Sequence, residues 1–270
     1  MEGFDIHDTV ALVTGGASGL GFQYSLALLE KGARGVTLVD ILPDDAGSKA
    51  IDEIERKFGK NKAIFVEADV TNYQKLEDAF KKTVETFKNI DILINNAGIA
   101  NDAIWQRELT VNINGTIHGI LLGMDHYIPK YKSRSEGLIL NVSSISGIQP
   151  FATRPIYTAT KFAIHAMTLS WGLPAHYNRT RVRVVGVCPG FTITSMTSGT
   201  LNRCLSSEYK VNEARELDAL PKQKPEELVP NVIKIIEKAP PGTVWVAEGA
   251  EPAYQYEMKD RFNMEKVYLE

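Results

Sequence analysis

The chain is poor in cysteine and contains no long apolar run. Only Cys188 and Cys204 occur among 270 residues, which are too few for a disulfide framework and favour a reducing compartment. No apolar run approaches the roughly 18 residues that a membrane-spanning helix needs. The N-terminal residues Glu2, Asp5 and Asp8 lack the basic and apolar regions of a signal peptide. We therefore expect a cytoplasmic protein without a membrane span.

The chain also lacks a strong excess of charge of either sign. Its 30 basic and 33 acidic residues give a formal net charge of −3, so no basic surface for nucleic acid is expected. The five histidines do not show the spacing of metal ligands. The hydrophobic content of 44% suits one large core. We expect a single domain over residues 1–270, with no metal site and no nucleic-acid partner.

Short apolar segments alternate with longer helical patterns along the whole chain. The predicted strands begin near Val10, Val36, Ala63, Ile90, Leu138, Val182 and Val244. Apolar runs of this length are typical of buried parallel strands. The alternation predicts an α/β fold, namely a doubly wound parallel sheet of seven strands with helices on both faces, known as a Rossmann fold. Ligands of such sheets bind at the carboxyl ends of the strands.

A glycine-rich turn follows the first predicted strand. Gly15, Gly16, Gly19 and Gly21 come directly after Thr14, and a helical pattern begins among them. Glycines let the backbone approach a pyrophosphate closely, and the N-terminus of a helix favours its negative charge. The strand, turn and helix together favour nucleotide binding over an ordinary tight turn.

Acidic and amide side chains end the next strands. Asp40 lies 19 residues after Gly21, where a carboxylate can accept both ribose hydroxyls of NAD and would repel the 2′-phosphate of NADP. Asp69 follows the third strand and could bind the adenine amino group or cap the next helix. Asn95 and Asn96 end the fourth strand and predict a polar clamp between strands or against a ligand.

Tyr157 and Lys161 are spaced to share one face of a helix. A tyrosine with its ordinary pKa of about 10 is a poor base at neutral pH. One unit charge at ~4 Å, with an effective dielectric constant of ~20, supplies about the 4 kcal/mol needed to lower that pKa to about 7. The pair therefore predicts a proton-transfer group, although a packed tyrosine beside a solvated lysine would show the same spacing.

These motifs together resemble those of the short-chain dehydrogenase/reductase family in its short, single-domain form. The matching residues are Thr14, Gly15, Gly19 and Gly21 of the glycine motif, Asn95–Gly98 of the N-N-A-G motif, Asn112, Ser144, Tyr157, Lys161, Pro189, Gly190 and Thr194. The approach to Tyr157 and the segment around Trp245 look most like the branch of 15-hydroxyprostaglandin dehydrogenases and insect-type alcohol dehydrogenases.

The resemblance implies a role for each of four catalytic residues. Tyr157 would be the general acid/base, and Lys161 would lower its pKa and hold the nicotinamide ribose. Ser144 would hydrogen-bond the substrate oxygen, and Asn112 would position a water that relays protons. The cofactor would be NAD. The implied cofactor contacts are Gly15, Ser18, Gly19, Leu20, Gly21, Asp40, Ile41, Asp69, Val70, Asn96, Ala97, Gly98, Tyr157, Lys161, Pro189, Gly190, Thr192 and Thr194.

Substrate contacts are assigned to Ser144, Tyr157 and Arg154. Arg154 lies three residues before Tyr157, where it could narrow the pocket, pair with an anionic substrate or point to solvent, and we favour the solvent orientation. Residues 192–224 are weakly patterned and follow a strand end, which suits a substrate lid. The charged, aromatic tail over residues 249–270 could cover a pocket or a neighbouring subunit.

The resulting hypothesis is an NAD-dependent oxidoreductase. It would oxidise a lipophilic secondary alcohol, such as a hydroxysteroid-like or hydroxy-fatty-acid-like compound, to a ketone. Two alternatives stay open: an NADP-dependent carbonyl reductase, and a catalytically idle NAD-binding or storage protein of the same fold. The resemblance also implies a homodimer or homotetramer that associates through the helical regions near residues 112–131 and 157–177.

Overall fold

In the computed structural model, residues 3–197 and 203–266 are described. The strands are β1 (Val10–Thr14), β2 (Gly35–Asp40), β3 (Ala63–Glu67), β4 (Ile92–Asn95), β5 (Gly137–Val142), β6 (Val182–Pro189), β7 (Phe191–Thr192), β8 (Lys222–Gln223), β9 (Val244–Ala247) and β10 (Tyr254–Tyr256). The helices are α1 (Gly19–Glu30), α2 (Asp44–Phe58), α3 (Tyr73–Phe87), α4 (Trp105–Leu109), α5 (Gly115–Leu121), α6 (Ile128–Tyr131), α7 (Pro155–Trp171), α8 (Pro174–Thr180), α9 (Ser207–Lys210), α10 (Glu213–Asp218) and α11 (Pro225–Lys238). π-helical turns at Thr110–Asn114 and Leu122–Tyr127 join α4, α5 and α6, and short 3₁₀ turns lie at Asp102–Ile104 and Ile145–Gly147.

The main sheet has eight strands in the order β10-β9-β6-β5-β4-β1-β2-β3. Seven of them pair in parallel, as expected. The eighth, β10, pairs antiparallel with β9, so the prediction of a seven-stranded sheet was one strand short. The sequence does not predict this strand because Tyr254–Tyr256 is three residues long and contains no apolar run. The fold class is confirmed.

The direction of the strand order changes between β1 and β4, and polar side chains occupy this switch point. Thr14 Oγ1 accepts hydrogen bonds from the backbone N–H groups of Asn96 and Ala97, each at 3.0 Å. Asn96 Nδ2 donates to the carbonyls of Thr14 and Gly15 at 2.9 and 3.2 Å. These bonds form the predicted polar clamp and hold the carboxyl ends of β1 and β4 together, which is where a cleft is expected.

Helices cover both faces of the sheet, and this explains the uninterrupted apolar strands. In β1, Ala11 and Val13 pack into a core that includes Ile236 of α11, whereas Leu12 packs into the opposite core with Phe80 of α3. All of these side chains are fully buried. No helix in residues 3–197 or 203–266 has both the length and the apolar character that crossing a membrane requires.

Gln223 of the predicted lid contacts both the sheet and the start of the predicted tail, which also joins the sheet directly through β10. The Nε2 of Gln223 donates to Thr192 Oγ1 at 3.1 Å and to the Ala247 carbonyl at 2.9 Å, and its Oε1 accepts from the Ala250 N–H at 3.2 Å. Residues 198–202 of the predicted lid and 267–270 of the predicted tail lie outside the described residues. The single-domain organisation stays a prediction.

Replacing the buried Asp91 by alanine should destabilise the fold by about 3 kcal/mol, because several donors would lose a charged acceptor at once. The Asp91 carboxylate accepts from the backbone N–H of Val10 at 2.8 Å and from the N–H and hydroxyl of Ser133 at 2.6 and 2.8 Å. Urea denaturation measures the effect. Ser133→Ala is the control and should cost about 1 kcal/mol; equal losses in the two variants would contradict the prediction.

Candidate active site

A cavity of about 440 Å³ opens at the carboxyl edge of the sheet. It extends from the glycine turn past the start of α7 to the described part of the predicted lid. The predicted site residues that line it are Gly15, Ser18, Gly19, Leu20, Asp40, Ile41, Asp69, Val70, Asn96, Ala97, Gly98, Ser144, Arg154, Tyr157, Lys161, Pro189, Gly190, Thr192 and Thr194. Two predicted residues, Gly21 and Asn112, do not line it and lie behind its wall.

The glycine turn leaves open space beside the N-terminus of α1. Gly19 has a φ of +52°, and a Cβ there would meet no atom within 4 Å. Gly15 has a φ of +61°, and its Cβ would lie 2.9 Å from Asn96 Nδ2. A Cβ on Gly21 would lie 2.1 Å from the Gly15 carbonyl oxygen, so Gly21 permits the close packing of helix and turn. The open space at Gly19 fits a pyrophosphate bound at a helix N-terminus.

Asp40 is held rigidly at the rim of this space. Its Oδ1 accepts from the backbone N–H groups of Ile41 and Leu42 at 2.8 and 3.3 Å, and its Oδ2 accepts from the N–H of Ala17 at 3.2 Å. The carboxylate therefore links the end of β2 to the glycine turn. A fixed negative charge at this position fits a ribose with free hydroxyls better than a phosphorylated one.

Asp69 faces the same end of the cavity and pairs with a residue that the sequence did not single out. Its Oδ2 lies 2.6 Å from Arg107 Nη2, and its Oδ1 accepts from the Thr71 N–H at 2.9 Å. Burial acts to raise the pKa of Asp69, but the Thr71 and Arg107 contacts outweigh it and lower that pKa. The capping alternative for Asp69 is wrong, because Asn72 caps α3 by accepting from the Lys75 N–H at 3.1 Å.

Helix α7 brings Tyr157 and Lys161 to the cavity, as their spacing predicted. Lys161 Nζ lies 5.6 Å from the centroid of the Tyr157 ring and donates to the Val142 carbonyl at 3.0 Å. The helix is anchored beneath the pair by Ser143 Oγ, which donates to the Lys161 carbonyl at 2.8 Å. Lys161 is only 5% exposed, so the alternative of a solvated lysine is excluded.

The expected lowering of the Tyr157 pKa is not what the structure shows. Burial raises the pKa of Tyr157 to about 12, against the opposing effects of the Ser144 side chain and of the Arg154 charge. Burial also lowers the pKa of Lys161 to about 8. Attraction between the two charges alone would lower the pKa of Tyr157, but the cost of removing both groups from water is larger.

Ser144 follows the carboxyl end of β5 and lines the cavity together with Tyr157. Its side chain acts to lower the pKa of Tyr157. Its Oγ accepts from the Ser146 N–H at 3.1 Å, a bond that caps the short 3₁₀ turn at Ile145–Gly147 and fixes the serine side chain. Two hydroxyl groups thus line one cavity.

Asn112 orders the loop that follows β4. Its Oδ1 accepts from the Ile99 N–H at 2.8 Å, and its Nδ2 donates to the Ile99 carbonyl at 2.9 Å and to Thr160 Oγ1 at 3.0 Å. Both ends of its amide are therefore occupied by protein groups. Its position in a π-helical turn beside α7 is typical of functional helix irregularities. The water-relay role assigned to Asn112 stays a prediction.

Arg154 does not point to solvent, so the favoured interpretation of this residue was wrong. Its side chain is 11% exposed and forms an ion pair with Glu213 of α10, which is fully buried. Glu216, one helical turn later, accepts from the backbone N–H groups of Ala152 and Thr153 at 3.2 and 3.3 Å. The helix α10 is thereby attached to the segment that precedes α7.

Two further carboxyl groups, which the sequence did not indicate, lie near the N-terminus of α7. Asp102 is fully buried and accepts from the N–H groups of Ile156 and Tyr157 at 2.8 and 3.1 Å. Glu108 is also fully buried and accepts from the Asn101 N–H at 2.8 Å. Burial, together with the neighbouring charge of Asp102, raises the pKa of Glu108. No local motif marks Asp102, since its partners are 54 and 55 residues away in the chain.

Comparison with known proteins agrees with this geometry. A family model described as short chain dehydrogenase matches residues 9–203. The chain belongs to the short-chain dehydrogenase family. Its prediction as an oxidoreductase of this family is therefore confirmed, and the matched segment contains the glycine turn, Asp40, Asn112, Ser144, Tyr157 and Lys161.

Relatives within the short-chain dehydrogenases agree with the expected branch. The chain is 40% identical over 191 residues to 15-hydroxyprostaglandin dehydrogenase [NAD(+)] of Macaca fascicularis, covering 71% of each protein. The Homo sapiens protein of that name is 39% identical over 191 residues, again 71% of each. Alcohol dehydrogenase 2 of Ceratitis capitata is 28% identical over 236 residues, covering 87% of this chain and 90% of that protein. The crystal structure of levodione reductase superimposes with a TM-score of 0.77 at 23% identity, covering 90% of this chain and 97% of that one, which shows the shared fold.

In this short-chain dehydrogenase, Asp102→Ala should lower kcat by up to about 10²-fold, because Asp102 fixes the first turn of α7 and misplacing the catalytic helix by about 1 Å is that costly. The dissociation constant of NAD should change little, since Asp102 does not line the cavity. Stopped-flow kinetics and NAD titration measure the two effects. Asp102→Asn keeps one acceptor and should recover part of kcat; a loss confined to thermal stability would show that Asp102 does not position the helix.

Proposed function

We propose that this protein is an NAD-dependent dehydrogenase that oxidises a secondary alcohol to a ketone. The observation that carries the proposal is a single cavity lined by Ser144, Tyr157 and Lys161 that continues without interruption to the glycine turn and Asp40. One end of the cavity thus offers a dinucleotide site, and the other offers two hydroxyls for a substrate oxygen. The names of the similar 15-hydroxyprostaglandin dehydrogenases include NAD(+), which supports NAD as the cofactor.

Each catalytic side chain has a distinct task in this proposal. Ser144 donates a hydrogen bond to the alcohol oxygen, and Tyr157 accepts the hydroxyl proton as general base. Lys161 holds the nicotinamide ribose and supplies positive charge below the Tyr157 ring. Asn112 keeps the loop after β4 and helix α7 in register through Ile99 and Thr160. Bound NAD supplies the hydride acceptor and a positive charge on its nicotinamide ring.

The preference for NAD over NADP follows from Asp40. A 2′-phosphate would have to approach a carboxylate whose position is fixed by three backbone N–H groups. No basic side chain occurs in the glycine turn to offset that repulsion. The alternative of an NADP-dependent carbonyl reductase is therefore disfavoured.

A lipophilic substrate suits the lid side of the cavity. Apolar side chains from three different segments line it, namely Ile145, Phe151, Met196, Leu217 and Leu220. Burial of apolar substrate surface against these residues would supply binding free energy at about 25 cal/mol per Å². The alcohol and the ketone product differ only at one carbon, so these apolar contacts bind both molecules. Discrimination between the alcohol and the ketone is then left to Ser144 and Tyr157.

We further propose a homodimer or homotetramer that works in the cytoplasm. Helix α7 exposes apolar residues at helical spacing, including Ala159, Phe162 and Ala166, and Leu173 beyond its end is 54% exposed. Such a stripe on an otherwise packed helix is typical of an interface. Both cysteines are free and buried, which agrees with a reducing compartment. Sedimentation equilibrium tests the association.

The decisive experiment measures NADH formation across a panel of alcohols at alkaline pH. The panel contains matched secondary and primary alcohols of equal chain length, together with hydroxysteroids and hydroxy fatty acids. The proposal expects turnover of secondary alcohols with NAD. Tight NAD binding without turnover of any panel member would favour the idle NAD-binding protein instead, and faster turnover with NADP would favour the reductase.

A further inference from the structure

The lid side of the cavity contains an arginine whose charge is already neutralised. Arg154 lines the cavity, and its guanidinium pairs with the fully buried Glu213. The charge of Glu213 also contributes, after burial, to the raised pKa of the neighbouring Cys204 thiol. Arg154 is therefore part of a buried ion pair. Breaking such a pair to bind an anion would leave a buried carboxylate without compensation.

Further carboxyl groups surround this pair. Glu216 lines the same part of the cavity, and Glu108 lies close enough to Arg154 for their charges to interact. The other cations that line the cavity are committed elsewhere within the described residues. Arg107 pairs with Asp69 at the opposite end, and Lys161 donates to the Val142 carbonyl below Tyr157. The lid side thus combines apolar contacts with an arginine that is already paired and a carboxylate, Glu216, in the wall.

We propose that this pocket selects neutral alcohols against alcohols that carry a carboxylate within a few carbons of the hydroxyl, and that Glu213 enforces the selection. The inference deepens the proposed function and rests on it, since it takes the lid side of the cavity as the place where the alcohol chain binds. A carboxylate entering there would lose its hydration and meet the Glu216 carboxylate, while the Arg154 guanidinium is already paired with Glu213. An amide or ester of the same shape avoids that cost.

The test compares two ligands of equal shape on the NAD-loaded enzyme, which cannot reduce a ketone. Isothermal titration calorimetry gives the dissociation constants of 4-oxooctanoate and 4-oxooctanamide. We expect the amide to bind the wild-type enzyme about tenfold more tightly than the carboxylate. In Glu213→Gln, the carboxylate should gain about tenfold while the amide changes by less than about threefold, because only the charge near Arg154 has been altered.

Two further variants make the outcome specific. Arg154→Gln combined with Glu213→Gln removes both charges of the pair, so the wild-type preference for the amide should return. Glu251→Gln removes an exposed carboxylate that does not line the cavity and should leave both dissociation constants unchanged. The double variant also covers the case in which Glu213→Gln alone folds poorly, because it leaves no buried charge unpaired.

Several results would overturn the inference: equal or tighter binding of the carboxylate by the wild-type enzyme, no detectable binding of either ligand, or the same effect from Glu251→Gln as from Glu213→Gln. Formation of NADH from a neutral secondary alcohol is measured separately. Discrimination between the ligands without any NADH formation would reject the proposed dehydrogenase activity alone. Formation of NADH without discrimination would reject the role of Glu213 alone.

Discussion

Replacing Tyr157 by phenylalanine is expected to lower kcat for alcohol oxidation by about 10³-fold, within the range that a lost general base costs. The ring would stay in place near Lys161, but the phenolic oxygen proposed to accept the substrate proton would be gone. Binding of NAD should stay within about threefold, since most cofactor contacts lie elsewhere in the cavity. The absorbance of NADH in a single turnover gives the rate of alcohol oxidation. Quenching of the protein fluorescence on titration with NAD gives the dissociation constant.

The matched control for this variant is Tyr177→Phe. The Tyr177 hydroxyl donates to Glu136 at 2.6 Å, and the residue does not line the cavity, so kcat should be unchanged. Unaltered turnover in Tyr157→Phe would reject the assignment of the general base.

The pH dependence gives a second readout of the same residue. Oxidation needs the deprotonated hydroxyl, and the raised pKa of Tyr157 keeps it protonated at neutral pH. The kcat/KM for the alcohol should therefore increase as the pH is raised. Ser144→Ala removes a side chain that acts to lower the Tyr157 pKa, so the increase should move to still higher pH. Identical pH profiles of kcat/KM for the wild-type enzyme and for Ser144→Ala would contradict this coupling.

Replacing Asp40 by alanine should weaken NAD binding by about 30-fold, which corresponds to roughly 2 kcal/mol for the loss of charged hydrogen bonds. The ribose would lose its acceptor, and the N–H groups of Ala17, Ile41 and Leu42 would lose the carboxylate that orders them. Binding of NADP should weaken less or improve, because its phosphate would no longer meet a fixed negative charge. Dissociation constants for the two cofactors measure the change in preference.

The variant Asp40→Asn separates charge from local order. Its side-chain oxygen can still accept from backbone N–H groups, so the turn should stay ordered while the repulsion of the 2′-phosphate disappears. The affinity for NADP relative to NAD is compared between the wild-type enzyme and the two variants. If neither Asp40→Ala nor Asp40→Asn raises this ratio, then Asp40 does not determine the cofactor preference.

The sequence alone was sufficient for the seven parallel strands because most of them are buried on both faces, although the edge strand β3 is only partly buried. A strand such as Val10–Thr14 must then be apolar throughout, and its end is marked by a change to glycine. The clamp at Asn96 was also predictable, since an amide at the end of a buried strand needs partners. Tyr157 and Lys161 were identified by spacing because both lie on one helix.

What the sequence could not reveal depends on distant partners and on burial. Arg154 and Glu213 are separated by 59 residues, and nothing near Arg154 indicates that an acid from another segment will pair with it. The two N–H groups that Asp102 accepts from are likewise far along the chain. The direction of the Tyr157 pKa shift was mistaken for a related reason, because spacing gives the separation of two charges but not their exposure to water.

The antiparallel strand β10 has a consequence for self-association. It pairs along the outer side of β9, whose residues Val244 and Val246 are fully buried. Without β10, β9 would present a row of unpaired backbone groups next to apolar side chains, which is the surface on which strands of other molecules add and aggregates begin. The strand β10 ends at Tyr256 and is followed by the charged residues Glu257, Lys259 and Asp260. The tail thus covers an edge strand that could pair with other molecules, and the new edge strand is short and bordered by charged residues.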